Sequence, residues 1–281
     1  MAGGLRQRAQ QLKEKWPGYG PLLDFYVTVR EAQEASKPRV RAARAKAENG
    51  RGVRQGFPRI GEAGFPIDTK SSVSLFGTLS RLGRAANPHF ATQVERIEQA
   101  RADGSMNLEA LLAGGGREGM TEKAAIERGL DVQVLSFLVA NSTRPSIEAA
   151  KDQLLKGFET DSWRECSCPI CGSPPALSVL KGEPARRYSL CSHCSCPWQI
   201  DRLSCSVCGN NDQDSLQCFY GEGEMACRID LCDSCHHYVK TIDVRALEAP
   251  DPSLEDLATL HLDVVAAQKG YSRAAPNPWS A

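Results

Sequence analysis

Cys168-Pro169-Ile170-Cys171-Gly172, Arg187-Tyr188-Ser189-Leu190-Cys191-Ser192-His193-Cys194, Cys205-Ser206-Val207-Cys208-Gly209 and Arg228-Ile229-Asp230-Leu231-Cys232-Asp233-Ser234-Cys235 are the segments that decide the fold of this chain. Each carries one Cys-x-x-Cys pair. Two intervening residues let a tight turn aim both sulfurs at one ion, with backbone N–H groups directed at the thiolates. Two such turns facing each other across a small sheet complete a tetrahedral S4 set. Glycine follows two of the turns, at Gly172 and Gly209, where a positive φ is often needed.

Gap lengths decide the pairing. Nineteen residues separate Cys171 from Cys191 and 23 separate Cys208 from Cys232, which suits a hairpin between two turns. Only ten separate Cys194 from Cys205, a crossing between sites. Site one is therefore predicted to be Cys168, Cys171, Cys191 and Cys194, and site two Cys205, Cys208, Cys232 and Cys235. The echo between Arg187–Cys194 and Arg228–Cys235, with a Cys-x-x-Cys-Gly opening each half, reads as two copies of one ribbon. Strand-like stretches, Trp198 to Leu203 and Tyr238 to Val244, follow the second turns.

All twelve cysteines fall between Cys166 and Cys235. No apolar signal segment opens the chain, so a reducing cytoplasm is expected, where metal explains such a cluster better than disulfides. A thioredoxin-like pair needs a strand–helix setting that is absent here. Cys166, Cys196, Cys218 and Cys227 are surplus. Cys196 is near enough to site one to exchange as a ligand, but free or buried thiols are expected of all four. His193, His236 and His237 lie near the sites and are expected to be exposed on the turns. Zinc and iron both accept S4 geometry. The Cys168–Gly172 turn is found in rubredoxin, which holds one iron, and in zinc ribbons, so the metal stays open.

Outward from the cysteines, residues 1–160 read as helical. Leu5–Lys15 is a charged helix ended by Trp16-Pro17-Gly18, and a second runs from about Pro21 to Ala35 until Pro38 interrupts it. Val40 to Glu48 is again rich in helix formers. Asn49 to Asp68, with five glycines, reads as a long loop lying over the helices through Phe57, Ile60 and Phe65. Thr69 or Ser71 is a candidate cap for the next helix, and Asn87-Pro88 opens another. Asn107 starts a short turn that Gly114-Gly115-Gly116 ends. Asp131 opens an apolar helix that Thr143-Arg144-Pro145 is expected to restart. His89 is expected at the surface or in a cap.

Beyond the ribbons, Thr241 to Pro252 reads as a connector. Ser253 with Asp256 suggests a capping box, and Leu254, Leu257, Ala258, Val264 and Val265 suggest one helix face ended by Gly270. His261 on that face reads as buried and hydrogen-bonded. The expected fold class is α+β: an all-helical domain over 1–160, two tandem rubredoxin-like or zinc-ribbon modules over 161–245, and a C-terminal helix and tail over 246–281.

The chain has no net charge, and no apolar run long enough to span a membrane. Residues 1–160 carry 24 Lys+Arg against 18 Asp+Glu, and residues 161–281 carry 10 against 16. An anionic ribbon region argues against nucleic acid, which needs clustered cations. No Ser/His/Asp set, phosphate loop or paired acids mark an active site, and no flavin or nicotinamide signature accompanies the cysteines.

The cysteine segments, together with Trp198 through Cys208, Cys232 through Lys240, Asp256-Leu-Ala-Thr-Leu, Gly270-Tyr-Ser-Arg and Asn277-Pro278, resemble the bacterial formate dehydrogenase accessory proteins of the maturation (FdhE) type. These stretches cover somewhat over a third of the chain. The resemblance implies a cytoplasmic, non-catalytic factor that binds the catalytic subunit of a respiratory formate dehydrogenase. It also implies iron at the eight cysteines named above. A zinc-ribbon nucleic-acid-binding protein and a rubredoxin-like electron carrier are the alternatives.

Overall fold

The computed structural model describes residues 2–41, 45, 56–60, 64–115, 119–156, 158, 160–277 and 279. The chain divides into two compact units, one of Met1–Asp24, Glu48–Arg59 and Gly157–Ser280, the other chiefly of Phe25–Ala47 and Ile60–Lys156. The architecture is α+β. Most of the helix-forming run after Val40 and the first part of the glycine-rich loop, within residues 42–63, lie outside the described residues, as do Gly116 and Pro278.

Among the described residues, seven α-helices precede the cysteines: α1 (Ala2–Lys15), α2 (Gly20–Ser36), α3 (Thr69–Ala86), α4 (Pro88–Ala102), α5 (Leu108–Ala113), α6 (Met120–Ile126) and α7 (Val132–Leu155). Side-chain caps set several starts. Asn87 accepts from His89 and Phe90 N–H, Asn107 from Ala110, and Asp131 from Gln133 and Val134. At α3 the cap is Asp68 rather than Thr69 or Ser71, because its carboxylate reaches Ser71 N–H. Ile60 and Phe65 are buried, whereas Phe57 is 61% exposed. His89 is exposed and bonds Asp131 at 2.9 Å.

The α7 helix runs through Pro145 where the sequence suggests a restart. Proline cannot donate to the carbonyl four residues back, which here is that of Asn141. The fully buried Gln33 amide supplies the missing donor, with Nε2 at 3.0 Å from both Asn141 O and Asn141 Oδ1. The helix survives because a side chain 108 residues away replaces the lost backbone bond.

In the other unit, strands β1 (Pro175–Lys181), β2 (Arg186–Cys191) and β3 (Pro197–Ile200) form one antiparallel ribbon. Strands β4 (Leu216–Tyr220), β5 (Cys227–Cys232) and β6 (His237–Asp243) form the second. The ribbons are not separate. β1 pairs with β6 in parallel, Ser178 opposite Thr241, giving one sheet ordered β3-β2-β1-β6-β5-β4, and β7 (Ser272–Arg273) adds to β6. One face carries Leu177, Val179, Ile229, Leu231 and Ile242, packed against Leu262 and Ala266.

Those last two lie in the final helices, α8 (Pro252–Ala258) and α9 (Leu260–Gln268). A single continuous helix does not form here. Lys240 on β6 donates to the Asp256 and Thr259 carbonyls at 2.8 and 2.9 Å, and Thr259 leaves helical geometry. That break turns Leu262 and Ala266 inward and leaves Val264 and Val265 at 56% and 37% exposed. The α8 cap is Asp251 rather than Ser253; Asp256 is drawn into a buried ion network instead of a capping box.

The α1 helix, which the sequence places with the helical half, packs in the ribbon unit. Arg8 makes a two-point ion pair with Glu255 of α8 (2.5 and 2.9 Å). Just after α1, Tyr19 bonds the half-buried His261, whose Nε2 meets Glu224 at 3.1 Å.

Candidate metal centre

Each cysteine turn is built by the same hydrogen bond. Gly172, Ser195, Gly209 and His236, the residues after each second cysteine, donate to the carbonyls of Cys168, Cys191, Cys205 and Cys232 at 2.9 to 3.1 Å. All four adopt positive φ, from 53° to 77°. Glycine reaches this region without strain, so the sequence reveals two of the four positions. Ser195 and His236 carry the same geometry on side-chain-bearing residues and give no such signal.

Locked turns present their sulfurs to backbone N–H groups. Ile170 N lies 3.4 Å from Cys168 Sγ, His193 N and Cys194 N lie 3.4 Å from Cys191 Sγ, and Val207 N lies 3.4 Å from Cys205 Sγ. Two tetrads result, one of Cys168, Cys171, Cys191 and Cys194, the other of Cys205, Cys208, Cys232 and Cys235. This is the grouping that the gap lengths call for. In the first, neighbouring sulfurs are 3.4 to 3.7 Å apart; in the second, two pairs stand at 3.8 Å.

Those separations fit a metal. A tetrahedron with metal–sulfur bonds of about 2.3 Å places its sulfurs about 3.8 Å apart, whereas a disulfide needs about 2.05 Å. Electrostatics agree. Burial pushes the Cys168 and Cys191 thiols well above their ordinary range, and Cys194 is pushed up by its bonds to Cys168 and Cys171. Only Cys171 is drawn down, by thiol donors from Cys168, Cys191 and Cys194. Four thiolates cannot share a dry space without a cation. In the second tetrad burial works against ionising Cys232, yet the N–H groups of Cys235 and Ser234 bring it to about 7.

The two tetrads differ in exposure. Cys168, Cys191 and Cys194 are at most 2% exposed, while Cys208 of the second is an exposed residue. The surplus thiols are not members of either tetrad. Cys227 is a core residue beside Thr259, pushed by burial to about 11. Cys196 is buried with its Sγ near Pro197 O, Cys218 is exposed on β4, and Cys166 lies against the second tetrad's first turn, 3.8 Å from Cys205 O. His236 is exposed. His193 and His237 are half-buried, and His237 Nδ1 is tied to Cys235 O at 2.7 Å.

Two family models match in tandem across this region: "FdhE, central domain" over residues 167–202 and "FdhE, C-terminal domain" over residues 203–279. Residues 167–279 are thus similar to the central and C-terminal domains of FdhE proteins. A "Protein FdhE homolog" of Aquifex aeolicus is 31% identical over 155 residues, 54% of each chain. One of Shewanella oneidensis is 38% identical over 113 residues, 40% of this chain and 37% of that one. The matched stretch thus spans about half the length of these relatives or less. The crystal structure of the FdhE protein from Pseudomonas aeruginosa shares the fold, with TM-score 0.68 over 99% of this chain and 95% of its own, at 22% identity.

Geometry explains the FdhE-type motifs outside the cysteines. Lys240, Asp256, Arg273 and Asn277, widely spaced in sequence, meet in one buried cluster. Lys240 Nζ, fully buried, stands 2.9 Å from Asp256 and 2.6 Å from Asp263; Arg273 stands 2.6 Å from Asp256 and 3.0 Å from Asp263. Asn277 donates to Asp256 at 3.0 Å. Lys240 and Arg273 hold the Asp256 carboxyl ionised against its burial. The cluster ties β6, β7, α8 and α9 together. No helix among the described residues is long and apolar enough to cross a membrane.

Proposed function

We propose that this chain is a cytoplasmic, non-catalytic accessory protein in the maturation of a respiratory formate dehydrogenase, and that it binds the catalytic subunit of that enzyme. Cys168, Cys171, Cys191 and Cys194 ligate one metal ion, and Cys205, Cys208, Cys232 and Cys235 a second, each iron or zinc. The observation that carries this reading is the coincidence of two sulfur tetrads of metal-site dimensions with the FdhE-type stretch, residues 167–279. A factor of this kind needs a stable surface and no turnover. The metals supply stability by tying the paired turns of each tetrad together.

The test is cellular. Deleting the protein lowers formate dehydrogenase activity sharply while transcripts of its subunits persist, and affinity capture brings down the catalytic subunit. Purified protein oxidises no formate with a dye acceptor. Restoration by the wild-type chain but not by a Cys168→Ser/Cys171→Ser variant ties the metal to the role. Normal dehydrogenase activity in the deletion strain, with no paralogue present, refutes it. Anaerobic metal analysis with a visible spectrum decides between ferric tetrathiolate and colourless zinc.

A further inference from the structure

The sheet face opposite α9 is polar at its centre. Ser189 of β2, Ser178 of β1 and Thr241 of β6 stand side by side in register, with Arg228 of β5 next to Thr241. Residues paired across strands share a face. The hydroxyls of Ser178 and Ser189 are buried and make no hydrogen bond among the described residues. Arg187 and Asp230 lie on that face too, two residues along their strands from Ser189 and Arg228.

Arg187 and Arg228 hold equivalent places in the two copies of the ribbon, yet both reach one carboxylate. Arg187 Nη2 is 2.9 Å from Asp230 Oδ2, and Arg228 Nε is 2.8 Å from Oδ1. The same carboxylate accepts from the Thr241 hydroxyl. The Arg187 side chain is only 3% exposed. Its Nη1 donates to Ser204 O at 3.0 Å, but its Nε has no acceptor among the described residues. One carboxylate serves two largely buried guanidiniums, so a positive charge and a buried donor are left over. Leaving them so is costly.

Arg187, Arg228 and Asp230 line a cleft of about 210 Å³ together with the Ser204–Val207 segment and the exposed Arg202 and Gln217. Cys205 and Cys232 also line it. Their negative charge offsets part of the excess, but among the described residues no guanidinium donates to a sulfur. The thiolates therefore leave the Arg187 donor unused.

We propose that this cleft binds a compact oxyanion, phosphate or carboxylate, clamped by Arg187, Arg228 and Arg202 beside the second sulfur tetrad. Planar guanidiniums present paired N–H groups that match both anions. Because Arg187 also holds Ser204 O, the anion rests against the segment that carries Cys205.

Isothermal titration of the metal-loaded full chain with inorganic phosphate, and separately with acetate, tests this at low ionic strength. One saturable site is expected for at least one anion, and the two arms tell phosphate from carboxylate. Arg202→Gln, at an exposed position, and Arg228→Gln should each weaken binding roughly tenfold or more, as loss of a charge-assisted hydrogen bond implies. Arg96→Gln, exposed on α4, should change nothing. Metal content is measured in every variant, so that damage to the tetrad is seen separately. Absence of saturable binding by either anion overturns the proposal. So does binding that survives unchanged in Arg202→Gln with its metal content intact.

Discussion

Replacing Lys240 by methionine keeps its stem but removes the cation from the centre of the ribbon unit. Its ammonium faces Asp256 at 2.9 Å and Asp263 at 2.6 Å and donates to the carbonyls of Asp256 and Thr259. Without it, two carboxylates with 7% and 17% side-chain exposure share Arg273 alone, one charge short of balance. Removing one partner of a buried ion pair costs about 3–5 kcal/mol, mostly because the charge left behind stays desolvated. At about 2–4 °C per kcal/mol for a unit of this size, the ribbon unit should melt roughly 6–20 °C lower. Near-ultraviolet circular dichroism of metal-loaded protein reads that shift. Hydrogen exchange should accelerate first in β6, α8 and α9. Lys181→Met, at an exposed strand end, is the control. A Lys240→Met protein that melts with the wild type and protects α8 equally would sink the claim that this cluster holds the unit together.

Cys168→Ser or Cys232→Ser should lower metal content by one equivalent and expose residues 166–240 to protease; unchanged stoichiometry and resistance in both would remove the ligand assignment. A chelator should strip the tetrad containing the exposed Cys208 before the buried one, and simultaneous loss, followed by absorbance or metal analysis, would contradict the difference in burial. Gln33→Leu should cost about 1–3 kcal/mol by orphaning the Asn141 carbonyl. Pro145→Ala restores a backbone donor, so the double variant should lose less than the sum of the two; strict additivity in denaturant melts refutes that account. Glu148 is held at about 2, since Arg144, Arg30 and Lys37 outweigh the burial that would raise it. Because this folded value lies below the ordinary carboxylate value of about 4.3, its contribution is complete above that pH. It is lost as pH falls toward 2, and it amounts to on the order of 3 kcal/mol. Glu148→Gln should flatten the acid limb of the helical unit's stability curve, and an unchanged limb argues against the pairing.

Sequence alone determined the tetrads' membership and the α+β class, because both rest on local geometry. A Cys-x-x-Cys turn needs only its own five or six residues, and the length of a hairpin fixes which turns can face each other. Helix starts at Asn87 and Asp131 were legible for the same reason, since a cap reaches only two or three residues ahead. Tertiary structure decided the rest. Nothing near Pro145 announces that Gln33 will supply its missing donor, and nothing in the run from Ser253 to Gly270 announces that Lys240 will break the helix at Thr259. The parallel pairing of β1 with β6, which fuses the two ribbons, brings Arg187 of one copy to Asp230 of the other. Each of these depends on a charged or amide side chain meeting a partner far along the chain. Hydrophobic period and turn spacing report which face a residue occupies, not what a long polar side chain finds when the faces close.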